Sequence, residues 1–427
     1  MLSAEKLKGE NNEVEQENSE FGEQDNELIK QEDMRNLELE EQLSSEIEVL
    51  NLSRKHHETS HQHLKQSNLT NPFDLPNDIV VKIFLKLPVK SLLRLKSVSK
   101  SWHAFICSPR FIKYHLSLSV TYNKYFTNHK VIVRIAQPEF NLEDCPVMEE
   151  FDLDYHMKNS GISFLIEGFI NGLVCLVNKA NEVFLWNPAI RRYKKLPDFR
   201  TQLKNDGYCI YGFGYDEIHD DYKVMCIFSI VGCLPHFQEV DIYSLKNDSW
   251  QIIHCSRNVM RLIGSGKFVN GKFYWTTNID IKSGWSITSF DLINEKWRMV
   301  ERPYNGEEGE VLVLGVLGSN LSAICNNSTT HMDVWAMKEY ENKESWIKMF
   351  TINCALNPVD YLFAHSFYLS KRGDFLLMFH GTVMIYDPKD NSIRYAQTSE
   401  FDYGLLTEFF QSLVCPLSQN ESRTLQE

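Results

Sequence analysis

An aromatic residue that closes an apolar run, followed by a turn and often a tryptophan, recurs along most of this chain. It stands at Trp186 in VFLWNP, at Tyr243 and Trp250 in VDIYSLKNDSW, and at Phe290 and Trp297 in ITSFDLINEKW. It returns at Trp335 and Trp346 in MDVWAMKEYENKESW and at Tyr386 in VMIYDPKDNSI. The steps between Trp186, Tyr243, Phe290, Trp335 and Tyr386 are 57, 47, 45 and 51 residues. Tight-turn pairs keep the same pace, at Asn171-Gly172, Asp220-Asp221, Asn270-Gly271, Ser319-Asn320 and Arg372-Gly373. Asn-Gly in particular favours a two-residue hairpin. A fixed long period of short strands calls for an array of like sheets, none of which can bury its faces alone.

Four short strands per repeat of about fifty residues fit a kelch-like β-propeller. Five units are expected, at about 162–197, 208–254, 264–300, 310–352 and 363–397. Strand-like material is left over on both sides, as VIVRIA at 131–136 and EFFQSLV at 408–414. Joined in a shared sixth blade, these pieces would pair the two ends of the array and remove an exposed edge. A β-sandwich or irregular barrel is the alternative reading of the same strands.

Residues 75–116 are written differently, as four short helices. Pro76 suits a first helical turn, where its missing N–H costs nothing. Ile79, Ile83 and Leu87 then fall on one face. Pro88 ends that helix and opens the next, Val89–Leu95, with Leu92, Leu93 and Leu95 apolar. A third helix is expected over Val98–Ile106, with Val98, Trp102, Phe105 and Ile106 on one side. Ser108-Pro109 starts a fourth that runs to about Leu116. A unit of about forty residues needs a disulfide, a metal or a partner to be stable. Cys107 is its only cysteine and no ligand cluster accompanies it. That leaves a partner, either another chain or the rest of this one.

This segment resembles the F-box of plant F-box proteins. The resemblance is carried by Leu75-Pro76 with Asp78, and by Leu87-Pro88 with Lys90, Ser91, Leu92, Leu93 and Arg94. It continues through Val98, Lys100 and Trp102 to Ser108-Pro109, Phe111, Ile112, His115 and Leu116. Ser99 stands where the family usually has cysteine. The resemblance implies binding to a Skp-type adaptor, and through it to a cullin and a RING subunit. Leu75, Pro76, Ile79, Ile83, Leu87, Pro88, Leu92, Leu93, Val98 and Trp102 would form the adaptor face. The repeats in turn resemble the F-box-associated, kelch-like domain that follows plant F-boxes. They do so through Gly172–Leu176, Leu185–Pro188, Gly212–Asp216, Asp221–Val224, Tyr243–Leu245 with Trp250, and Asn270-Gly271 with Tyr274-Trp275. The expected organisation is an extension over 1–70, an F-box over 71–116, a propeller over 117–415 and a polar tail over 416–427.

The net charge of −13 belongs to one end of the chain. Residues 1–50 hold sixteen Asp and Glu against four Lys and Arg, so the remainder is close to neutral. Such a composition predicts disorder, although Leu39, Leu43, Ile47 and Leu50 keep helical spacing. His56, His57, His61 and His63 read as linker rather than as a metal site, which needs convergent geometry. The ten cysteines are scattered singly, without a C-x-x-C, and several sit in apolar runs (LVCLV, KVMCIF, SAICNN). There they act as small hydrophobes, so a reducing compartment, cytosol or nucleus, is expected. No apolar run approaches the length of a membrane span, and the N-terminus has no secretory or transit pattern.

Nothing predicts catalysis, a cofactor or a metal. There is no G-x-S-x-G, Walker loop or H-E-x-x-H, and Gly212-Phe213-Gly214 lacks a third glycine. The pairs Asp220-Asp221 and Glu307-Glu308 read as solvated turns. RRYKK at 191–195 is an isolated basic patch on an outer strand and reads as a solvated face, not as a nucleic-acid stripe. The connections at about 198–207, 230–238, 255–263, 301–309 and 353–361 are longer than the hairpin turns. They would share one face of the propeller, and function concentrates on such loops. Phe199, Arg200, Phe237, Tyr304 and Tyr361 are the candidate client anchors there, because aromatics and Arg are enriched at hot spots. The expected function is substrate recognition in a Skp–cullin–F-box ubiquitin ligase. The alternative is an adaptor-bound receptor or scaffold, such as a self-incompatibility pollen factor that recognises ribonucleases.

Overall fold

The computed structural model describes residues 77–121, 130–132, 148–149, 164–198, 207–230, 238–253, 261–278, 285–303, 312–326, 331–353, 364–370, 373–379, 382–397, 408–409 and 411–417. The chain divides into two units, residues 1–126 and 127–427.

The first unit holds α1 (Asn77–Leu85), α2 (Val89–Leu95), α3 (Lys100–Ile106) and α4 (Pro109–Thr121). Pro88 is extended (φ −64°, ψ 152°) and its carbonyl accepts from the N–H groups of Ser91 and Leu92, which starts α2 at the expected residue. α3 starts at Lys100 rather than Val98. Ser99 is extended there, and its hydroxyl oxygen accepts the Trp102 N–H at 3.1 Å, a side-chain N-cap. Val98 is thereby left in the turn before the helix. Ser108 caps α4 in the same way, at 3.3 Å from the Phe111 N–H. α4 passes Leu116 because no breaker follows. Ser117 and Ser119 donate back to the carbonyls of Tyr114 and His115 and so satisfy their hydroxyls within the helix.

Val81, Phe84, Leu85, Val89, Leu92, Phe105, Ile106, Phe111 and Tyr114 form the core of this unit. The Phe84 ring meets Trp102 edge-on at 4.9 Å, and Phe105 lies 4.9 Å from Phe111. α1 is apolar on nearly every side, so spacing alone does not choose its inner face. The aromatic packing of Phe84 chooses it, and Ile79 and Ile83 are turned outward.

The second unit begins with β1 (Lys130–Ile132) and β2 (Met148–Glu149). Four-stranded antiparallel sheets follow. Blade 1 is β3 (Phe164–Ile170), β4 (Leu173–Asn178), β5 (Val183–Asn187) and β6 (Arg192–Lys195). Blade 2 is β7 (Gly207–Asp216), β8 (Asp221–Ile230), β9 (Gln238–Ser244) and β10 (Ser249–Ile253). Blade 3 is β11 (Arg261–Val269), β12 (Lys272–Asn278), β13 (Trp285–Asp291) and β14 (Lys296–Val300). Blade 4 is β15 (Leu312–Leu317), β16 (Asn320–Asn326), β17 (His331–Met337) and β18 (Trp346–Asn353). Blade 5 is β19 (Ala364–Leu369), β20 (Phe375–Phe379), β21 (Thr382–Asp387) and β22 (Ser392–Gln397). A last strand, β23 (Glu408–Phe409), pairs antiparallel with β1, and β1 pairs parallel with β2. The expected union of the two ends is therefore present, as a three-stranded sixth sheet.

The repeat has a local cause. Asn187, Ser244, Asp291 and Asp387 each end the third strand of a blade, and each side chain accepts a backbone N–H of the next turn at 2.9–3.0 Å. Each of these turns closes on a left-handed residue: Arg191, Asp248, Glu295 and Asn391, with φ of 52–59°. The preceding aromatic then faces the fourth strand. Tyr243 pairs with Trp250 and Phe290 with Trp297, with ring centroids 5.3 and 5.0 Å apart. Blade 4 departs from this pattern. Its register shifts between Val334 and Trp335, its turn contains a short 3-10 segment (Lys343–Ser345), and Trp346 pairs with Met337. Trp335 consequently lies opposite Lys348, and Met337, two residues on, takes the place opposite the tryptophan. The first hairpin turns are confirmed at Asn171-Gly172 and Asn270-Gly271, all with positive φ. In blade 4 the turn residues are Gly318-Ser319, because Asn320 already belongs to β16.

Burial runs between the blades. Val269, Tyr274, Ile287 and Val300 of blade 3 pack with Leu314, Leu321, Met337 and Trp346 of blade 4. Leu317, Met332 and Ile352 of blade 4 pack with Phe367, Phe375 and Tyr386 of blade 5. Blades 2 and 3 share one sheet through a parallel bridge between Gly212 and Gly266. A Cβ on Gly266 would lie 2.6 Å from the Trp275 ring, so only glycine allows that approach.

Candidate interaction surfaces

On the helical unit, Ile79 and Ile83 are 40% and 43% exposed and Val98 is 61% exposed, large values for such side chains. Lys82 is exposed on α1 and Lys86 in the turn that follows it, and Lys90 and Arg94 are exposed one turn apart on α2. Residues 77–121 hold eight Lys and Arg against the single acid Asp78. Among the described residues this surface is apolar and basic. Leu87, Pro88, Leu93 and Trp102 are half-buried. Leu92 has no exposed surface. Its expected place in the docking face is corrected: it supports that face from within, because α2 turns it into the core beside Val89. Leu75 and Pro76 lie outside the described residues.

His115 fixes α4 to the end of the first helical turn system. Its Nε2 lies 3.0 Å from the Leu87 carbonyl, and the neutral ring donates there. Burial lowers its pKa from the ordinary 6.5, and the carbonyl bond only partly opposes this.

On the propeller, all five expected client anchors, Phe199, Arg200, Phe237, Tyr304 and Tyr361, lie outside the described residues. The strand ends do correct the loop pattern. The connections between second and third strands span only 179–182, 327–330 and 380–381 in blades 1, 4 and 5. They are as short as the hairpin turns on the other face. Length on the candidate face therefore comes from the blade-to-blade connections and from blades 2 and 3.

Polar side chains that read as solvated are mostly structural. Asp216 is buried, with the Lys223 ammonium and the His219 ring each 2.7 Å from its carboxylate and the backbone N–H groups of Ile218 and His219 donating to it. Burial alone would raise its pKa; these donors win and hold it at about 2. Asp221, expected as a solvated turn, is also buried and accepts from the Ser244 hydroxyl at 2.7 Å and the Lys246 N–H at 2.9 Å. Within the basic patch, Lys194 is buried and reaches Asp248 of the next blade at 3.1 Å. Strand alternation in β6 turns it inward, away from a solvated face. Glu307-Glu308 and the four-histidine cluster lie outside the described residues. Among the described residues no group of His, Cys, Asp and Glu could hold a metal.

Sequence reasoning missed three ties between blades. Trp250 Nε1 donates to the Pro197 carbonyl at 2.7 Å, and Trp346 Nε1 to the Glu301 carbonyl at 3.1 Å. Trp250 and Trp346 so clamp the exits of the blades that precede their own. Ser265 on β11 donates at 2.6 Å to Glu167, which sits at an irregularity in β3 two blades away. Enclosure by the inner strands pushes the Glu167 carboxyl up and the nearby Lys267 ammonium down. Finally, the C-terminal segment is latched to blade 1 by Asn187, whose amide donates to Ser412 and Val414 carbonyls, while the Ser412 hydroxyl donates to the Asn171 carbonyl.

A family model described as the F-box associated beta propeller domain matches residues 116–415. The chain belongs to this family. An F-box domain model matches residues 72–114 of this F-box protein. Among curated relatives, it is 31% identical to F-box protein CPR1 of Arabidopsis thaliana over 308 residues, which is 65% of this chain and 73% of that one. An F-box/kelch-repeat protein of the same plant is 28% identical over 297 residues, covering 66% of this chain and 80% of the relative. The helical unit and the propeller are thus an F-box followed by an F-box-associated propeller.

Proposed function

We propose that this F-box protein is the substrate-recognition subunit of a Skp–cullin–F-box ubiquitin ligase. The F-box holds a Skp-type adaptor, which brings the cullin and RING subunits, and the propeller holds a protein client for ubiquitination and degradation. The observation that carries this reading is the outward face of α1. Among the described residues, Ile79 and Ile83 leave exposed apolar surface on a small unit of a chain that also carries a family-typical propeller, and such surface marks a protein interface. The chain acts as a receptor, and catalysis is left to its partners. Its described cysteines are all free thiols, which supports work in the cytosol or nucleus. Among the described residues no helix is long and apolar enough to cross a membrane.

Affinity capture with the proteasome blocked tests the proposal. Wild type should retain adaptor, cullin and at least one ubiquitinated client that accumulates under the block. An Ile79→Glu/Ile83→Glu chain should retain the client and lose adaptor and cullin. Capture of adaptor without any client that accumulates would favour a receptor that does not drive degradation.

A further inference from the structure

The F-box face has a second candidate occupant in the same chain. Ile79 and Ile83 of α1 are flanked by Lys82 and by Lys86 in the turn that follows, and α2 adds Lys90 and Arg94. The family models begin at residue 72, so the acidic N-terminal extension is outside both matched domains. That extension carries the opposite pattern. Leu39, Leu43, Ile47 and Leu50 recur at helical spacing, interleaved with Glu38, Glu40, Glu41, Glu46 and Glu48. An apolar stripe edged with carboxylates complements an apolar patch edged with ammonium groups, in both hydrophobic and charge terms.

We infer that residues 37–50 dock on the exposed face of α1 and compete with the adaptor for it, as an autoinhibitory segment. The inference rests on the adaptor reading of that face. Reach does not limit it. The 26 residues between Leu50 and Asn77 are chain enough to bridge a gap of roughly 30 Å. A tether of that length gives an effective concentration of about a millimolar. A segment that binds with a dissociation constant of about 0.1 mM would then occupy the face most of the time and weaken adaptor binding about tenfold. Ion pairs at an exposed face are screened by salt, so the competition should fade as salt rises.

The test compares the full-length wild type with two full-length variants. One removes charge, Glu38→Gln/Glu40→Gln/Glu41→Gln/Glu46→Gln/Glu48→Gln. The other keeps every charge and removes the apolar stripe, Leu43→Ser/Ile47→Ser. Affinity for a purified Skp-type adaptor is measured at low and at high salt, and a zero-length carboxyl–amine cross-linker is applied to each chain without adaptor. Both variants should bind the adaptor about tenfold tighter than wild type at low salt. The charge variant's advantage should shrink at high salt. Cross-links from Lys82 or Lys86 to the tail glutamates should form in monomeric wild type and be lost in Leu43→Ser/Ile47→Ser. Tightening by the charge variant alone would indicate long-range repulsion and overturn docking. Equal affinity of all three chains would overturn it too. If no chain bound the adaptor, the adaptor reading would fail instead, and the cross-links would decide docking by themselves.

Discussion

Asn187 donates its side-chain amide to the carbonyls of Ser412 and Val414, at 3.1 and 2.7 Å, across more than two hundred residues of chain. The same side chain caps its own turn by accepting the Ala189 N–H at 2.9 Å. The equivalent residues Asp291 and Asp387 of blades 3 and 5 perform only the capping half. Blade 1 therefore needs an amide where other blades accept a carboxylate, because only blade 1 receives the returning C-terminus.

Asn187→Asp keeps the cap but points a buried carboxylate at two carbonyls. It should destabilise the propeller by about 2–4 kcal/mol, more than Asn187→Ala at about 1–3 kcal/mol. Denaturant unfolding of both variants checks this. Equal losses would mean that the amide's donor side carries little.

Gly172→Ala should open the same latch from the other partner. Gly172 has φ +83°, and an added Cβ would lie 2.1 Å from the Ser412 hydroxyl oxygen. Amide hydrogen exchange over residues 411–415 should rise several-fold in this variant while blades 3 and 4 stay as protected as in wild type.

Trp250 and Trp346 should behave as donors as well as bulk. Trp346→Phe keeps a ring between blades 3 and 4 but leaves the Glu301 carbonyl without its N–H partner. A loss of about 1–3 kcal/mol is expected from the unsatisfied group and lost volume together. Trp346→Ala should cost about 3–5 kcal/mol. If Phe were neutral, the inter-blade hydrogen bond would be incidental.

The F-box should weaken in mild acid through His115. Burial lowers its folded-state pKa below 6.5, so the unfolded chain binds the proton more readily. The stabilisation is complete above pH 6.5 and is lost as pH falls through the folded pKa. Thermal unfolding of wild type and His115→Gln between pH 5 and 8 measures it: the wild-type midpoint should fall below about pH 6.5, and the variant's should not follow.

The propeller was legible in the sequence because its signals are local. Blades 1, 2, 3 and 5 repeat an aromatic, a capping Asn, Ser or Asp and a left-handed turn residue within a dozen positions, and blade 4 keeps the period with a different turn. The pairing of β1 with β23 was legible as an edge that needed a partner. The Asn187–Ser412 latch and the Trp250 and Trp346 clamps were not, since their partners are carbonyls far along the chain that any residue could supply. The face of α1 was half legible. Ile79 and Ile83 were placed together, but the run IVVKIFL is apolar almost all round, and only the packing of Phe84 against Trp102 and Phe105 shows which side is left for a partner. Lys194 and Asp221 misled for a related reason: charge suggests solvent, but each meets a specific partner within the fold.

The most direct test is binding of the full-length chain to a purified Skp-type adaptor, with Ile79→Glu/Ile83→Glu as the comparison and thermal unfolding as the control for folding. Wild type should form a one-to-one complex, and the double variant should lose it at least a hundredfold while unfolding within a few degrees of wild type. A wild-type chain that forms no complex, or a folded double variant that binds as tightly as wild type, would contradict the assignment of this face to the adaptor.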